Sequence, residues 1–405
     1  MTAAATPDIL SDEFALDPYR AYRQMRNDEP LIRQEQGVPG YIISRYEDVQ
    51  RAFNDDTFTT ANYDWQLEPV HGRTFLQMSG REHQVRRALV APAFRGRELQ
   101  EKFLPVIERN CRELIDTFRH AGEADLVAQF ATRFPINVIV DMLGLDKADH
   151  ARFHSWYTAI IAFLGNLSQD PEVTERGLRT REEFAAYMIP IIQRRRDHPG
   201  DDLLSTLCQA EIEGTRMSDE DIKAFCSLLL TAGGETTDKA IAAMFANLID
   251  HPDQLEAVRQ DRSLIARAFA ETLRFTPPVH MIMRQPSEDV KLSGGVVPAG
   301  STVICLIGAA NRDERKYTNP DSFDIFRPEL KETTASTAAA GHLAFALGRH
   351  FCVGALLAKT EVEVATNQLL DAMPDVRLAE GFRPQEKGVF TRGPASLKVR
   401  FTPVG

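Results

Sequence analysis

The chain has 405 residues, 43% hydrophobic and 26% charged, the balance of a water-soluble globular protein. Its formal net charge of -11 argues against nucleic acid as a partner, which would require a basic surface. Length alone argues for two or three domains, but no linker, repeat or low-complexity tract divides the sequence, so one domain over residues 1–405 is expected.

Residues 1–14 are small, acidic and contain a proline. They lack the basic segment and apolar run of a signal peptide. No stretch approaches the roughly eighteen apolar residues of a membrane span. Residues 17–27 read as a short helix after Pro18, and residues 40–44 and 303–307 as small β-branched strands. Residues 57–78 look irregular, with Tyr63, Trp65, Pro69, Gly72 and Phe75. A loop that long is usually functional or disordered. Helical spacing governs residues 82–143 and 151–196 until His198-Pro199-Gly200 breaks it.

The longest periodic segment is 218–250. Ser218 with Asp221 forms a capping-box-like start. Ile222, Phe225, Leu229, Ile241, Phe245 and Leu248 recur at helical spacing, and His251-Pro252 stops the run. An average helix has roughly 11 residues, so a helix this long must cross the middle of the molecule. The expected fold is mainly α with small β-sheets. The helix centre reads Ala232-Gly233-Gly234-Glu235-Thr236-Thr237. Each glycine costs about 1 kcal/mol against alanine, and a threonine can bond back one turn and bend a helix. That pattern predicts a distortion here; close packing against a neighbour is the plainer alternative.

Glu271-Thr272-Leu273-Arg274 lies on a helix that begins near Ser263 and ends at Pro277-Pro278. Glu271 shares a face with Leu264, Ala268 and Phe275, so its carboxylate is buried and needs a partner. Arg274, three residues on, is the near one. His83 and Arg87, four apart, share a helix face. The five cysteines (Cys111, Cys208, Cys226, Cys305, Cys352) are odd in number and form no CxxC pair. That argues against disulfides or a zinc site and for a reducing compartment.

Cys352 stands apart from the other four. It follows a loop with Gly348 and precedes a helix-like run through Val353, Ala355, Leu356, Leu357 and Ala358. A sulfur at a helix N-terminus meets unsatisfied N–H groups and the positive end of the macrodipole. Both lower a thiol pKa, so a thiolate is expected, a suitable ligand for a haem iron. A lone cysteine is more often a small core hydrophobe; here the surrounding pattern outweighs that reading.

The order Phe345, Gly348, His350, Cys352, Gly354 resembles the haem-binding loop of the cytochromes P-450, the haem-thiolate monooxygenases. Ala346 stands where that family usually has glycine. Residues 232–237 resemble the family's oxygen-binding groove, and residues 82–87 its C-helix, although Ser79-Gly80-Arg81 replaces a frequent Asp-Pro-Pro. The resemblance implies a cytochrome P-450 fold, with the long helix over a haem b and the Cys352 loop beneath it. By that resemblance Cys352 ligates the iron, and His83, Arg87, Arg284 and His350 bind the haem propionates. Thr236 holds dioxygen or its proton-donating water, and Glu235 supplies protons. Asn311-Arg312-Asp313 and residues 320–327 resemble the family's meander, from which Arg327 would complete a structural ion cluster with Glu271 and Arg274.

The same resemblance implies insertion of one oxygen atom into a small apolar organic substrate. Its pocket would draw on the 57–78 loop, Leu229, Ala232, Gly233, Val279, Ile282 and Phe390, with His280 as a hydrogen-bonded wall residue. The chain carries no flavin or iron–sulfur motif. Electrons would come from NAD(P)H through an external reductase and ferredoxin. Arg349, Arg86, Arg95, Arg97, Arg109 and Arg112 are expected to form a basic docking patch. The expectation is a cytoplasmic monomer of the soluble bacterial class, bound to neither membrane nor nucleic acid. Two alternatives stand beside this reading. A peroxide-driven haem-thiolate enzyme should lack the Glu235–Thr236 pair, and a non-catalytic haem sensor or carrier has no use for it.

Overall fold

The computed structural model describes residues 7–330, 336–337 and 339–404. The first six residues of the N-terminal segment considered above lie outside them. Five helices position the site: α1 (Gly80–Val90), α2 (His150–Leu164), α3 (Asp219–Asp250), α4 (Ile265–Phe275) and α5 (Ala355–Ala372). Helix α3 has 32 residues and begins with a capping box between Ser218 and Asp221. It packs against Phe134–Met142, Pro171–Asp197, α2, α4 and α5. Apolar residues therefore occupy nearly all its faces, as a fully enclosed helix requires.

Helix α3 is helical throughout, so the distortion predicted at 232–237 does not occur. The glycines serve close packing instead. A Cβ at Gly233 would lie 3.0 Å from Ile139 Cδ1, and one at Gly234 would lie 3.3 Å from Ile136 Cγ1. Thr236 Oγ1 does donate back to the Ala232 carbonyl, at 2.7 Å, and leaves the helix whole.

The 57–78 segment is also more ordered than its composition implied. It holds the strand Phe58–Thr59 and two helical turns, Tyr63–Gln66 and Glu68–His71. Leu67 and Val70 form an apolar cluster with Ile160 and Leu164 of α2, and burial of those side chains orders the turns. The strand Glu123–Asp125 interrupts the helical stretch that spacing assigned to 82–143. It pairs antiparallel with Lys398–Arg400, a partner far away in sequence.

The largest sheet among the described residues contains β1 (Leu31–Gln34), β2 (Gly40–Ile43), β3 (Phe58–Thr59), β4 (Met281–Pro286) and β5 (Val303–Leu306), in the order β1-β2-β5-β4-β3. Strands β2 and β5 run parallel, with Val303 opposite Tyr41, and the other pairs are antiparallel. The core on one side of this sheet joins Ile43, Phe53, Val303 and Cys305 to Leu343, Ala346 and Leu347. The segment leading to Cys352 is therefore docked on the sheet. No helix among the described residues is long and apolar enough to cross a membrane. All five cysteines are free.

Candidate active site

The loop before α5 is shaped by two residues with positive φ. Gly348 has φ +65, and a Cβ there would sit 2.7 Å from the Phe53 carbonyl oxygen. Ala346 has φ +53, in the left-handed region that an alanine enters at a cost of about 1 kcal/mol. The amide of Cys352 donates to the Phe345 carbonyl at 2.9 Å, which closes the loop. Cys352 is exposed, unlike the other four cysteines. The protein crowded around this open sulfur has the largest influence and pushes the thiol pKa up, while the amides of Gly354 and Ala355 and the Arg87 guanidinium pull it down, as a helix N-terminus should. The helix amides thus act in the direction expected from helix position, and desolvation acts against them. The helix amides act locally, while desolvation depends on everything packed around the sulfur.

Beside the loop, donors and cations gather. His83 of α1 is buried, and its ring centroid lies 4.5 Å from that of His350. Burial, then Arg87 and Arg349, lowers the His83 pKa. Burial, then Arg284, His83, Arg349 and Arg87, lowers His350 to about 3. Burial and the neighbouring cations thus disfavour the charged form of both rings. Nε2 of His83 and Nδ1 of His350 are buried without a hydrogen-bond partner among the described residues. Arg87 donates to the Phe351 carbonyl at 2.6 Å, and Arg284 donates to Tyr63 Oη at 3.1 Å.

On α3, Ala232 is exposed while its helical neighbours Leu230, Thr231 and Gly234 are buried. Ala232 and Thr236 thus face an open space rather than packed protein. Glu235 points elsewhere and is buried. Its carboxylate accepts from Tyr157 Oη and, at 3.0 Å, from Thr391 Oγ1. Lys239 Nζ lies 3.9 Å away. Two other carboxyls on or against α3 lack full partners. Burial pushes Asp238 up to about 6 and Glu361 of α5 up to about 8. Glu361 Oε2 accepts from Thr237 at 3.4 Å, and its Oε1 has no partner among the described residues.

A sequence profile of the family described as Cytochrome P450 matches residues 34–373. The chain belongs to the cytochrome P450 family. It is 42% identical to pulcherriminic acid synthase of Bacillus subtilis over 97% of each chain, and 31% identical to 6-deoxyerythronolide B hydroxylase of Saccharopolyspora erythraea over 92% of each. Among solved structures, the cytochrome P450 PksS of the Bacillus subtilis bacillaene polyketide synthase superposes with a TM-score of 0.87, at 30% identity, over 98% of this chain and 100% of that one. The expected mainly helical P450 fold is therefore present, and the protein is a P450 monooxygenase with a haem-iron cofactor.

The residues present fit that cofactor. An acidic edge group would satisfy the orphaned nitrogens of His83 and His350 and balance the crowded charges of Arg87 and Arg284. The exposed Cys352 supplies a soft donor. The other residues singled out in the P450 sequence are placed as follows. Glu271 is bidentate to Arg274, at 2.7 Å for each contact. It also meets Arg327 at 3.4 Å and the Asp324 amide at 2.9 Å. Arg274 and Arg327 spend their remaining donors on carbonyls of the meander, among them Pro320 and Ser322. Asn311 ties this cluster to the cysteine loop: its carboxamide donates to Leu273 and accepts from the Leu343 amide at 2.9 Å.

Leu229 is buried in the helical core, and Val279, Ile282 and Phe390 are partly buried. Val279 bridges to Thr391, and the His280 amide donates to the Phe390 carbonyl at 2.9 Å. His280 is fully buried against Tyr22, as expected of a wall residue. The basic patch is largely cancelled: Arg349 pairs with Asp56, Arg86 with Asp221, Arg97 with Glu101 and Arg109 with Asp141. Arg95 and Arg112 are exposed and form no ion pair among the described residues. Sequence reasoning missed Tyr157, Thr391, Ile160 and Leu164. Only the apolar spacing of Ile160 and Leu164, four apart on one helix face, hinted at any of them.

Proposed function

We propose that this P450 inserts one atom of dioxygen into a small, mainly apolar organic molecule, with Cys352 as the iron ligand. The exposed Cys352 thiol beside the unpartnered nitrogens of His83 and His350 carries this reading. When bound, haem supplies the iron at which dioxygen is reduced and cleaved. The chain's own residues hold and supply it. His83, Arg87, Arg284 and His350 bind its propionates through charge-assisted or neutral donors. Thr236 presents its hydroxyl to the open space and holds dioxygen or a water there, and Glu235 supplies protons to that place. Glu271, Arg274 and Arg327 are structural and brace the loop through Asn311.

Leu229, Ala232, Gly233, Val279, Ile282 and Phe390 border the substrate, together with Ile160 and Leu164. Mostly apolar surroundings support an apolar substrate. The two named relatives concern different compounds, one pulcherriminic acid and one 6-deoxyerythronolide B, so their names give a class of organic molecule only. Electrons come from NAD(P)H through an external reductase and ferredoxin, with Arg95 and Arg112 available to an acidic donor. The enzyme works as a single-domain cytoplasmic monomer. The reduced carbon monoxide complex should show the strongly red-shifted Soret band of thiolate ligation. Cys352→His should lose that band while retaining haem. A mutant spectrum identical to wild type would remove Cys352 as the ligand.

A further inference from the structure

Glu235 is buried at the centre of α3, and its anchors come from two other segments. Tyr157 lies on α2, and its ring rests directly over the helix at Gly234. A Cβ there would sit 3.4 Å from Tyr157 Cε2. Glycine at 234 lets the ring approach so that its hydroxyl reaches Glu235 Oε2. Thr391 follows Phe390 and donates to Oε1 at 3.0 Å. The turn that carries it closes on α3 at Gly393, where a Cβ would sit 2.7 Å from Lys239 Cδ. Two glycines, Gly234 on α3 and Gly393 on the turn, thus make room for contacts that converge on one carboxylate. Each oxygen has its own donor, so the carboxylate cannot swing without losing a hydrogen bond.

We propose that Tyr157 and Thr391 are positioning residues for Glu235, through which the acid's orientation follows the placement of α2 and of the 390–393 turn. This rests on the reading of Glu235 as the proton source. Both segments also meet in one packed apolar cluster, α2 through Ile160 and Leu164, and the turn through Phe390. A displacement of either segment therefore moves the acid. Neither hydroxyl has to transfer its own proton; each donates to the carboxylate and fixes where it points.

The test uses the haem-loaded protein and the variants Tyr157→Phe, Thr391→Val, Thr391→Ser, Glu235→Gln and the Tyr157→Phe/Thr391→Val double. Subtracting the Glu235→Gln infrared spectrum isolates the Glu235 carboxylate stretch. That band should shift in Tyr157→Phe and in Thr391→Val, shift further in the double, and return to its wild-type position in Thr391→Ser. With NADPH and a surrogate ferredoxin and reductase, and no added substrate, the solvent deuterium isotope effect on NADPH oxidation should rise towards that of Glu235→Gln. Each single variant should slow oxidation by about three- to tenfold. An unmoved band in all three hydroxyl-deleted variants overturns the positioning role. So does a wild-type isotope effect in the double when Glu235→Gln itself is slow. If Glu235→Gln oxidises NADPH with wild-type rate and isotope effect, the proton-source reading falls, and the infrared band alone still decides whether Tyr157 and Thr391 hold the carboxylate.

Discussion

Two charged clusters flank the cysteine loop, and they differ in how completely they are closed. Around Glu271, each donor finds an acceptor: a carboxylate, two guanidiniums, one amide and several meander carbonyls. Around His350, donors and cations face one another, and two buried nitrogens have no partner. A closed cluster binds segments of one chain together, and its removal is felt as lost stability. An open cluster is costly by itself and is tolerated because something outside the chain completes it.

Breaking the closed cluster should give the largest effect. Glu271→Ala leaves Arg274 and Arg327 buried without their acid, and should cost about 3–5 kcal/mol in urea unfolding. Retained wild-type stability would mean that the meander is held by other contacts. The open cluster should respond in the opposite sense. Arg284→Ala should weaken haem binding by about 10- to 100-fold, from loss of one charge-assisted hydrogen bond, while the haem-free protein keeps or gains thermal stability. A haem-free protein that unfolded several degrees lower would move Arg284 into the structural class.

Glu361 belongs to neither class, and pH sharpens the distinction. Its carboxyl is pushed up by burial to about 8, from an ordinary value near 4.5. Between those values the folded protein keeps a proton that the unfolded chain has released, so stability must fall as pH rises through that window. Glu361→Gln should remove the fall between pH 6 and 8, a gain of about 1–3 kcal/mol at pH 8. Asp238, raised to about 6 for the same reason, should leave a residual fall below that pH. Unfolding midpoints in urea at pH 5, 6.5 and 8 would show a parallel offset instead if Glu361 titrates normally. The smallest effect belongs to the loop itself. Ala346→Gly should stabilise by about 0.5–1 kcal/mol, because glycine takes φ +53 without a steric cost, and haem affinity should stay unchanged.

What the sequence reveals here is whatever repeats or lies close along the chain. The caps and extent of α3, the burial of Glu271 and its pairing with Arg274 follow from periodicity and a three-residue spacing. The cysteine loop is read from five residues in fixed order. Tyr157 and Thr391 are 78 and 156 residues from Glu235, and no local pattern marks them. The glycines at 233 and 234 were ambiguous because a bend and a close approach need the same residue; only the positions of Ile136 and Ile139 decide between them. The helix amides that lower the Cys352 thiol are visible in sequence, whereas the desolvation that opposes them is not. The arginine patch shrank because Asp56, Asp221 and Asp141 arrive from other segments.

Ala346 has a further consequence, for portability. An alanine left to itself would abandon the left-handed region, so its conformation is imposed by Leu343 and Leu347 docked on the sheet and by Asn311 gripping the Leu343 amide. Transplanted alone into another scaffold, the decapeptide from Phe345 to Gly354 would relax at that residue and re-aim the sulfur. The transferable unit is larger: the loop, the edge of the sheet it rests on and the asparagine that links it to the buried ions.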